Sequence, residues 1–211
     1  VKLSATTLKV AVGGKGTLKA TLEPSNVTNK NVTWSSANKS IATVSSSGVI
    51  KGVKAGKVKI TATSGDGTQK ATCTVTVYTP VTSVSLNKTS MTLKVGSSAT
   101  IIPTVKPEAA TYKTVKWTSS NYDVATVDEN GKVTAKGVGY AEITATTTNG
   151  SKTAICKINV IKPVKSLSLS ASTLRIEVGD KVTLKATVKP SDATNITVSF
   201  KSSSSSIASV S

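Results

Sequence analysis

Hydrophobic and polar positions alternate along much of the chain. Leu8, Val10 and Val12 alternate with Lys9 and Ala11, and Leu18, Ala20 and Leu22 with Lys19 and Thr21. Val58, Ile60 and Ala62 alternate with Lys59 and Thr61, and Ala71, Cys73, Val75 and Val77 with Thr72, Thr74 and Thr76. A period of two sends successive side chains to opposite faces, so each stretch predicts a β-strand with one apolar face and one wet face. Turn residues separate the stretches, and the pattern predicts roughly seven short strands in a unit of this size. No stretch holds a helical period of useful length, which excludes the parallel α/β architectures.

The pattern then repeats. Val32-Thr33-Trp34-Ser35-Ser36 returns as Val115-Lys116-Trp117-Thr118-Ser119 and, weakened, as Val198-Ser199-Phe200-Lys201-Ser202, so that 83 positions separate each aromatic from the next. Gly13, Gly96 and Gly179 keep the same offset, as do Pro24, Pro107 and Pro190, Cys73 and Cys156, and Pro80 and Pro163. A fixed period of this length marks a tandem array, here divided as residues 1–80, 81–163 and 164–211. Trp34 and Trp117 share the phase of Val32 and Val115, which predicts core positions in matching sites rather than exposed ligand contacts. The connectors Val77-Tyr78-Thr79-Pro80-Val81 and Val160-Ile161-Lys162-Pro163-Val164 contain no Gly or Ser. Proline fixes its own φ and extends the residue before it, so an elongated array with limited bending is expected.

Register also sets expectations for the ends and the turns. Val1 aligns with Val84 and Ser211 with Ser45, so the first module is expected to lack its leading residues and the third to hold only its first half, as in a fragment of a longer protein. A half-module leaves strand edges open, and strand complementation by another segment is the expected remedy. Asp66-Gly67 and Asn149-Gly150 predict two-residue type I′ hairpins joining the last two strands of each complete module, and Ser47-Gly48 and Asn130-Gly131 an earlier hairpin.

Several of these segments together resemble a known family. They are Val84-x-Leu86, Leu93-x-Val95-Gly96, Val105-x-Pro107, Val115-x-Trp117-x-Ser119, Val124-Ala125-Thr126-Val127, Gly131-x-Val133 and Ile143-Thr144-Ala145-Thr146. In combination they are similar to the bacterial immunoglobulin-like domain, group 2, over both complete modules and the first half of the third. The resemblance implies an all-β fold of tandem Ig-like β-sandwich modules, as found on bacterial surface proteins including intimin- and invasin-like adhesins, beside secreted enzymes and in phage particles. It implies an extracellular or bacterial cell-surface location. It implies a fold more firmly than a function, because sites are grafted onto folds.

Composition narrows the chemistry. Aromatics make up 3 % of the chain and histidine is absent. Without an imidazole base, and with Cys73 and Cys156 in phase with apolar neighbours, no nucleophile–base arrangement is legible; no catalytic, cofactor-binding or metal-ligating residue is predicted. One cysteine per module excludes a disulfide within a module. Asp128-Glu129-Asn130-Gly131 superficially resembles a calcium loop, but it lacks the spaced donors and the distal glutamate of one, and its counterpart Ser45-Ser46-Ser47-Gly48 carries no carboxylate. Asn159, the natural candidate for a lysine–asparagine crosslink, falls on an outward phase.

Lys and Arg number 27 against 10 Asp and Glu, a net charge of +17, spread over the three modules as +9, +5 and +3. Lys9, Lys19, Lys59, Lys94 and Lys157 take outward strand positions, where lysine also guards sheet edges. Arg175 is the sole arginine, so the forks and interleaved aromatics of a specific nucleic-acid surface are missing. No long apolar run reads as a transmembrane segment. The expected role is a non-catalytic spacer or stalk serving adhesion, with neighbouring domains of a longer parent protein as its partners. The alternatives are direct binding to glycans or anionic wall polymers, or an accessory module of a secreted enzyme or phage particle.

Overall fold

The computed structural model describes residues 1–211, and every regular element is a strand. In the first repeat these are β1 (Lys2–Leu3), β2 (Thr7–Ala11), β3 (Lys15–Thr17), β4 (Ala20–Thr21), β5 (Val32–Ser36), β6 (Ala42–Val44), β7 (Val49–Gly52), β8 (Gly56–Ser64) and β9 (Lys70–Tyr78). The second repeat follows with β10 (Ser83–Leu86), β11 (Ser90–Lys94), β12 (Ser98–Thr100), β13 (Pro103–Lys106) and β14 (Val115–Ser119), then β15 (Ala125–Val127), β16 (Lys132–Ala135), β17 (Gly139–Thr147) and β18 (Thr153–Ile161). The third contributes β19 (Ser166–Leu169) and β20 (Ala186–Lys189). Two compact units result: Val1–Ser85 with Pro103–Lys116 and Ala145–Ala154, and Leu86–Ile102 with Trp117–Thr144 and Ile155–Ser211.

The longest alternating stretches make the longest strands. β8 and β9 pair antiparallel from Gly56↔Val77 to Thr63↔Lys70, which puts Val58, Ile60, Ala62, Cys73, Val75 and Val77 on the buried face. Their sheet has the order β2-β9-β8-β5, and a second sheet, β3-β7-β6, lies on the other side of the core. Val10, Leu18, Ala42 and Ile50 complete that core, with Leu3, Leu8, Trp34 and Ile41 packed against it. The orders recur as β11-β18-β17-β14 and β12-β16-β15. The second core gathers Ile101, Val124, Ala125, Val133, Ala135, Ala141, Ile143, Cys156, Ile158 and Val160. These are tandem all-β sandwiches of Ig-like form.

Alternation did not reveal two features. Strand β2 runs parallel to the closing strand β9, from Thr7↔Thr74 to Ala11↔Tyr78, and β11 runs parallel to β18 in the same way. The stretch Leu18–Leu22 is also not one strand. It is interrupted at Leu18-Lys19, where β3 leaves β7 and β4 joins β1. Leu18, 1 % exposed, occupies the corner, and its N–H donates to the Gly48 carbonyl at 2.9 Å. Ile101 and Gly131 repeat that bond at 2.9 Å.

The tryptophans take matching sites but are half-buried rather than sealed, because β5 and β14 are edge strands and one side of each indole stays open. A Cβ on Gly48 would lie 2.9 Å from Cζ2 of Trp34, and one on Gly131 2.8 Å from Cζ2 of Trp117. Two residues after each tryptophan, the Ser36 and Ser119 hydroxyls donate to the Ala42 and Ala125 carbonyls at 2.6 and 2.7 Å.

The closing hairpins are antiparallel as expected, but their turns are wider than type I′. Ser64 N–H donates to Gln69 O at 2.9 Å and Thr147 N–H to Lys152 O at 2.8 Å, enclosing four residues each. A type I′ turn needs positive φ at both central residues. Here only Gly67 has it in the first loop, while in the second it falls on Gly150 and Ser151 and not on Asn149. Asp66 instead accepts from the Thr68 N–H at 3.1 Å, an Asx-type closure that a longer loop permits.

The third repeat forms only the pair whose two members both lie within the chain. β19 pairs with β20 as Ser166↔Lys189 to Leu169↔Ala186. Residues 173–177 and 198–202, aligned with β11 and β14, are not strands, and Leu174, Ile176 and Phe200 are exposed. Their counterparts β11, β14, β2 and β5 pair with β18, β17, β9 and β8, of which the 211 residues hold no third copy.

Candidate functional site

The chemistry-bearing side chains are held in structural roles. Cys73 and Cys156 are unpaired and fully buried, each in its own core. Burial pushes both thiols up, and for Cys156 the nearby Lys88 charge opposes some of the rise. A thiol held protonated among apolar side chains is a poor nucleophile. The Asp128 carboxylate is taken up by the hairpin, accepting from the Asn130 and Lys132 N–H groups at 2.9 Å each. No cluster of three His, Cys, Asp or Glu side chains is placed to hold a metal ion. Asn159 lies on β18 opposite Thr92.

Both connectors carry the same reciprocal bond pair, which sequence reasoning missed. In the first unit the Thr79 N–H donates to Thr111 Oγ1 at 2.8 Å and the Thr111 N–H donates to Thr79 O at 3.0 Å. In the second, the Lys162 N–H donates to Thr194 Oγ1 at 2.6 Å and the Thr194 N–H to Lys162 O at 2.8 Å. Each connector backbone is thus held as one rung of a ladder immediately before its proline. The signal was present, since Thr111 and Thr194 share the 83-residue offset of Thr79 and Lys162. Beside the first clamp Val81 is 4 % exposed, and its N–H donates to Asn149 Oδ1 at 3.3 Å. Beside the second, Lys162 Nζ meets Asp192 Oδ2 at 2.6 Å; both groups are solvated, so the pair adds little stability, though it holds the Asp192 carboxyl below its usual range.

The first unit also presents an aromatic and cationic group on the outward face of its larger sheet. Tyr78 at the end of β9 meets Tyr112 with ring centroids 5.9 Å apart and planes at 50°. Lys9 Nζ lies 5.7 Å from the Tyr112 centroid, within cation–π range. Lys57 and Lys59 stand on the same face and are exposed. On the turn beyond the other end of β9, Asp66 accepts from the Ser64 hydroxyl and from the Thr68 N–H and hydroxyl, which lowers its pKa from 3.8 to about 2. A shallow cleft of about 280 Å³ beside it is lined by Leu22, Val27, Thr28 and Ser64 among others.

Comparison with known proteins follows the repeat. The family model for the bacterial Ig-like domain (group 2) matches residues 1–75, 80–158 and 163–211. An uncharacterized protein of Clostridium acetobutylicum is 36 % identical over 151 residues, covering 71 % of this chain and 16 % of that protein. An Ig-like virion protein of Serratia phage KSP90 is 36 % identical over 135 residues, covering 62 % of this chain and 52 % of the relative. A kappa-carrageenase of Pseudoalteromonas carrageenovora is 45 % identical over 75 residues, covering 36 % of this chain and 19 % of the enzyme. The chain therefore spans about half or less of the length of these relatives.

Proposed function

Because the chain belongs to the bacterial Ig-like domain (group 2) family, we propose that it is a non-catalytic spacer of a longer surface, secreted or virion-borne protein, carrying another portion of that protein outward in the service of adhesion. The observation that carries this reading is the recurrence of a self-contained core at a fixed 83-residue offset, joined by connectors clamped in the same way each time. A repeat that closes its own core adds length without needing its neighbours' side chains. Buried thiols and turn-bound carboxylates agree with a module that does no chemistry. An extracellular or surface setting fits the virion relative, and the carrageenase relative favours a second reading, an accessory module beside a catalytic domain.

The test uses a displayed epitope. Carried on a cell surface between an anchor and a tag, one and two complete modules should raise the tag in equal steps, measured by optical height microscopy. An unchanged height would refute the spacer role. Shortening the array within its parent protein should reduce attachment of the cell or particle; undiminished attachment would remove adhesion from the reading.

A further inference from the structure

The outward face of β2-β9-β8-β5 holds a cluster that the spacer role does not require. Register sets Lys9 and Lys57 on either side of Thr76 in one row across three strands, and Thr7 and Lys59 on either side of Thr74 in the next. With strands about 4.8 Å apart and about 3.3 Å per residue along them, the three lysine Cα positions lie within about 12 Å of one another. All three side chains are exposed, and none joins the chain's one ion pair, Lys162–Asp192. The row beyond holds Tyr78, whose ring meets Tyr112 beneath the Lys9 ammonium.

Edge protection accounts for Lys9, on the outer strand β2, but not for the whole cluster. Lys59 stands on β8 with both sides taken, since β9 pairs it with Thr74 and the Ala37 N–H donates to its carbonyl at 3.0 Å, just before the rungs that β5 makes with Ile60–Ser64. Nor does the fold demand them, since 83 residues on the three positions are Thr92, Tyr140 and Glu142. Like charges on adjacent rungs repel, and an entering anion relieves that repulsion.

We propose that this face binds an anionic polysaccharide. Lys9, Lys57 and Lys59 meet its sulfate or carboxylate groups, the Thr74 and Thr76 hydroxyls exchange hydrogen bonds with sugar hydroxyls, and Tyr112 offers its ring to a sugar face. The chemistry favours a sugar chain over a nucleic acid, because the face has no arginine fork and its aromatic pair is tilted rather than spaced for successive bases.

The test measures binding of the full chain at low salt to dextran sulfate and to polygalacturonate, with uncharged dextran, inorganic polyphosphate and single-stranded DNA as comparisons. Binding to at least one charged polysaccharide, weakening as salt rises, is expected. Sulfate and carboxylate ligands are told apart by which polymer binds. The triple variant K9Q/K57Q/K59Q should lose at least tenfold in affinity. K30Q/K39Q/K54Q, with the same net charge but changed in loops of the same repeat, should lose less than twofold. Tyr112→Ala should weaken polysaccharide binding at least threefold and leave polyphosphate binding unchanged. Lys59→Gln alone, an exposed change that leaves the core untouched, should weaken binding in the same direction. No binding to either charged polysaccharide, equal losses in the two triple variants, no effect of Tyr112→Ala, or tighter binding of the DNA would each overturn the proposal. Spacer function could survive every one of those results.

Discussion

Two glycines with nearly the same backbone conformation give a sharp test of how the core is closed. Gly96 and Gly131 have φ of +83° and +78°, so alanine at either position bears the same left-handed penalty of about 1–2 kcal/mol, offset by about 0.4–1 kcal/mol from a less flexible unfolded chain. Their surroundings differ. A Cβ on Gly96 meets nothing within 4 Å, whereas one on Gly131 would lie 2.4 Å from the Ile101 carbonyl oxygen and 2.8 Å from Cζ2 of Trp117. Ile101 is fully buried and its N–H is bonded to the Gly131 carbonyl, so relief requires moving backbone rather than swinging a side chain. Overpacking of this kind adds about 1–3 kcal/mol. Gly96→Ala should therefore cost about 1 kcal/mol and Gly131→Ala about 3 kcal/mol. The assay is urea denaturation followed by Trp117 fluorescence in a Trp34→Phe background, so that only the second sandwich reports. Two variants within about 0.5 kcal/mol of each other would refute the claim that the indole and the strand corner press on this glycine.

Other consequences can be checked directly. Neither Cys73 nor Cys156 should react with a thiol reagent at pH 8 until denaturant is added, and labelling of the native chain at the rate of a free thiol would contradict their burial. Because the folded Asp66 pKa is lowered, its contribution to the closing turn is fully present above the ordinary value of 3.8 and lost as pH falls through about 2. A carboxyl titration by NMR should place its midpoint well below that of a solvated aspartate, and Ser64→Ala should raise it. Thr111→Val removes the acceptor of the Thr79 N–H, a loss of about 1 kcal/mol locally, so amide exchange at Thr79 should quicken roughly five- to tenfold while the cores hold. Unchanged exchange there would mean that the clamp does not order the connector.

Alternation made the core legible because burial in a sandwich acts on every second residue. Val58, Ile60, Cys73 and Val75 were readable for that reason, and so was the repeat, since the same residues return in the same phase. The parallel contact of β2 with β9 was not readable, because period two states which face is buried and not which strand lies alongside. The break at Leu18 was hidden because the corner residue stays inward while its neighbours change partners. Turn type was misread at Asp66 because an aspartate side chain closes a longer loop as readily as it tolerates a tight one. The cluster of Lys9, Lys57 and Lys59 was half visible. Lys9 and Lys59 were legible as outward, but only the register added Lys57 to them and showed that two of the three stand on an interior strand.

The parallel pairing of β2 with the closing strand β9 also decides how a sandwich carries load. Tension drawn through the chain pulls β2 from its start at Thr7 and β9 from its end at Tyr78. The two strands run in the same direction, so they are dragged past each other along their length. All the rungs between Thr7↔Thr74 and Ala11↔Tyr78 are then sheared together, where an antiparallel pair pulled from its open end would unzip rung by rung. The second sandwich repeats the arrangement from Ser90↔Lys157 to Lys94↔Ile161. Stretched between tip and surface, each complete repeat should rupture in a single high-force event, and Val12→Pro, which removes the N–H that donates to the Tyr78 carbonyl at 2.8 Å, should lower that force.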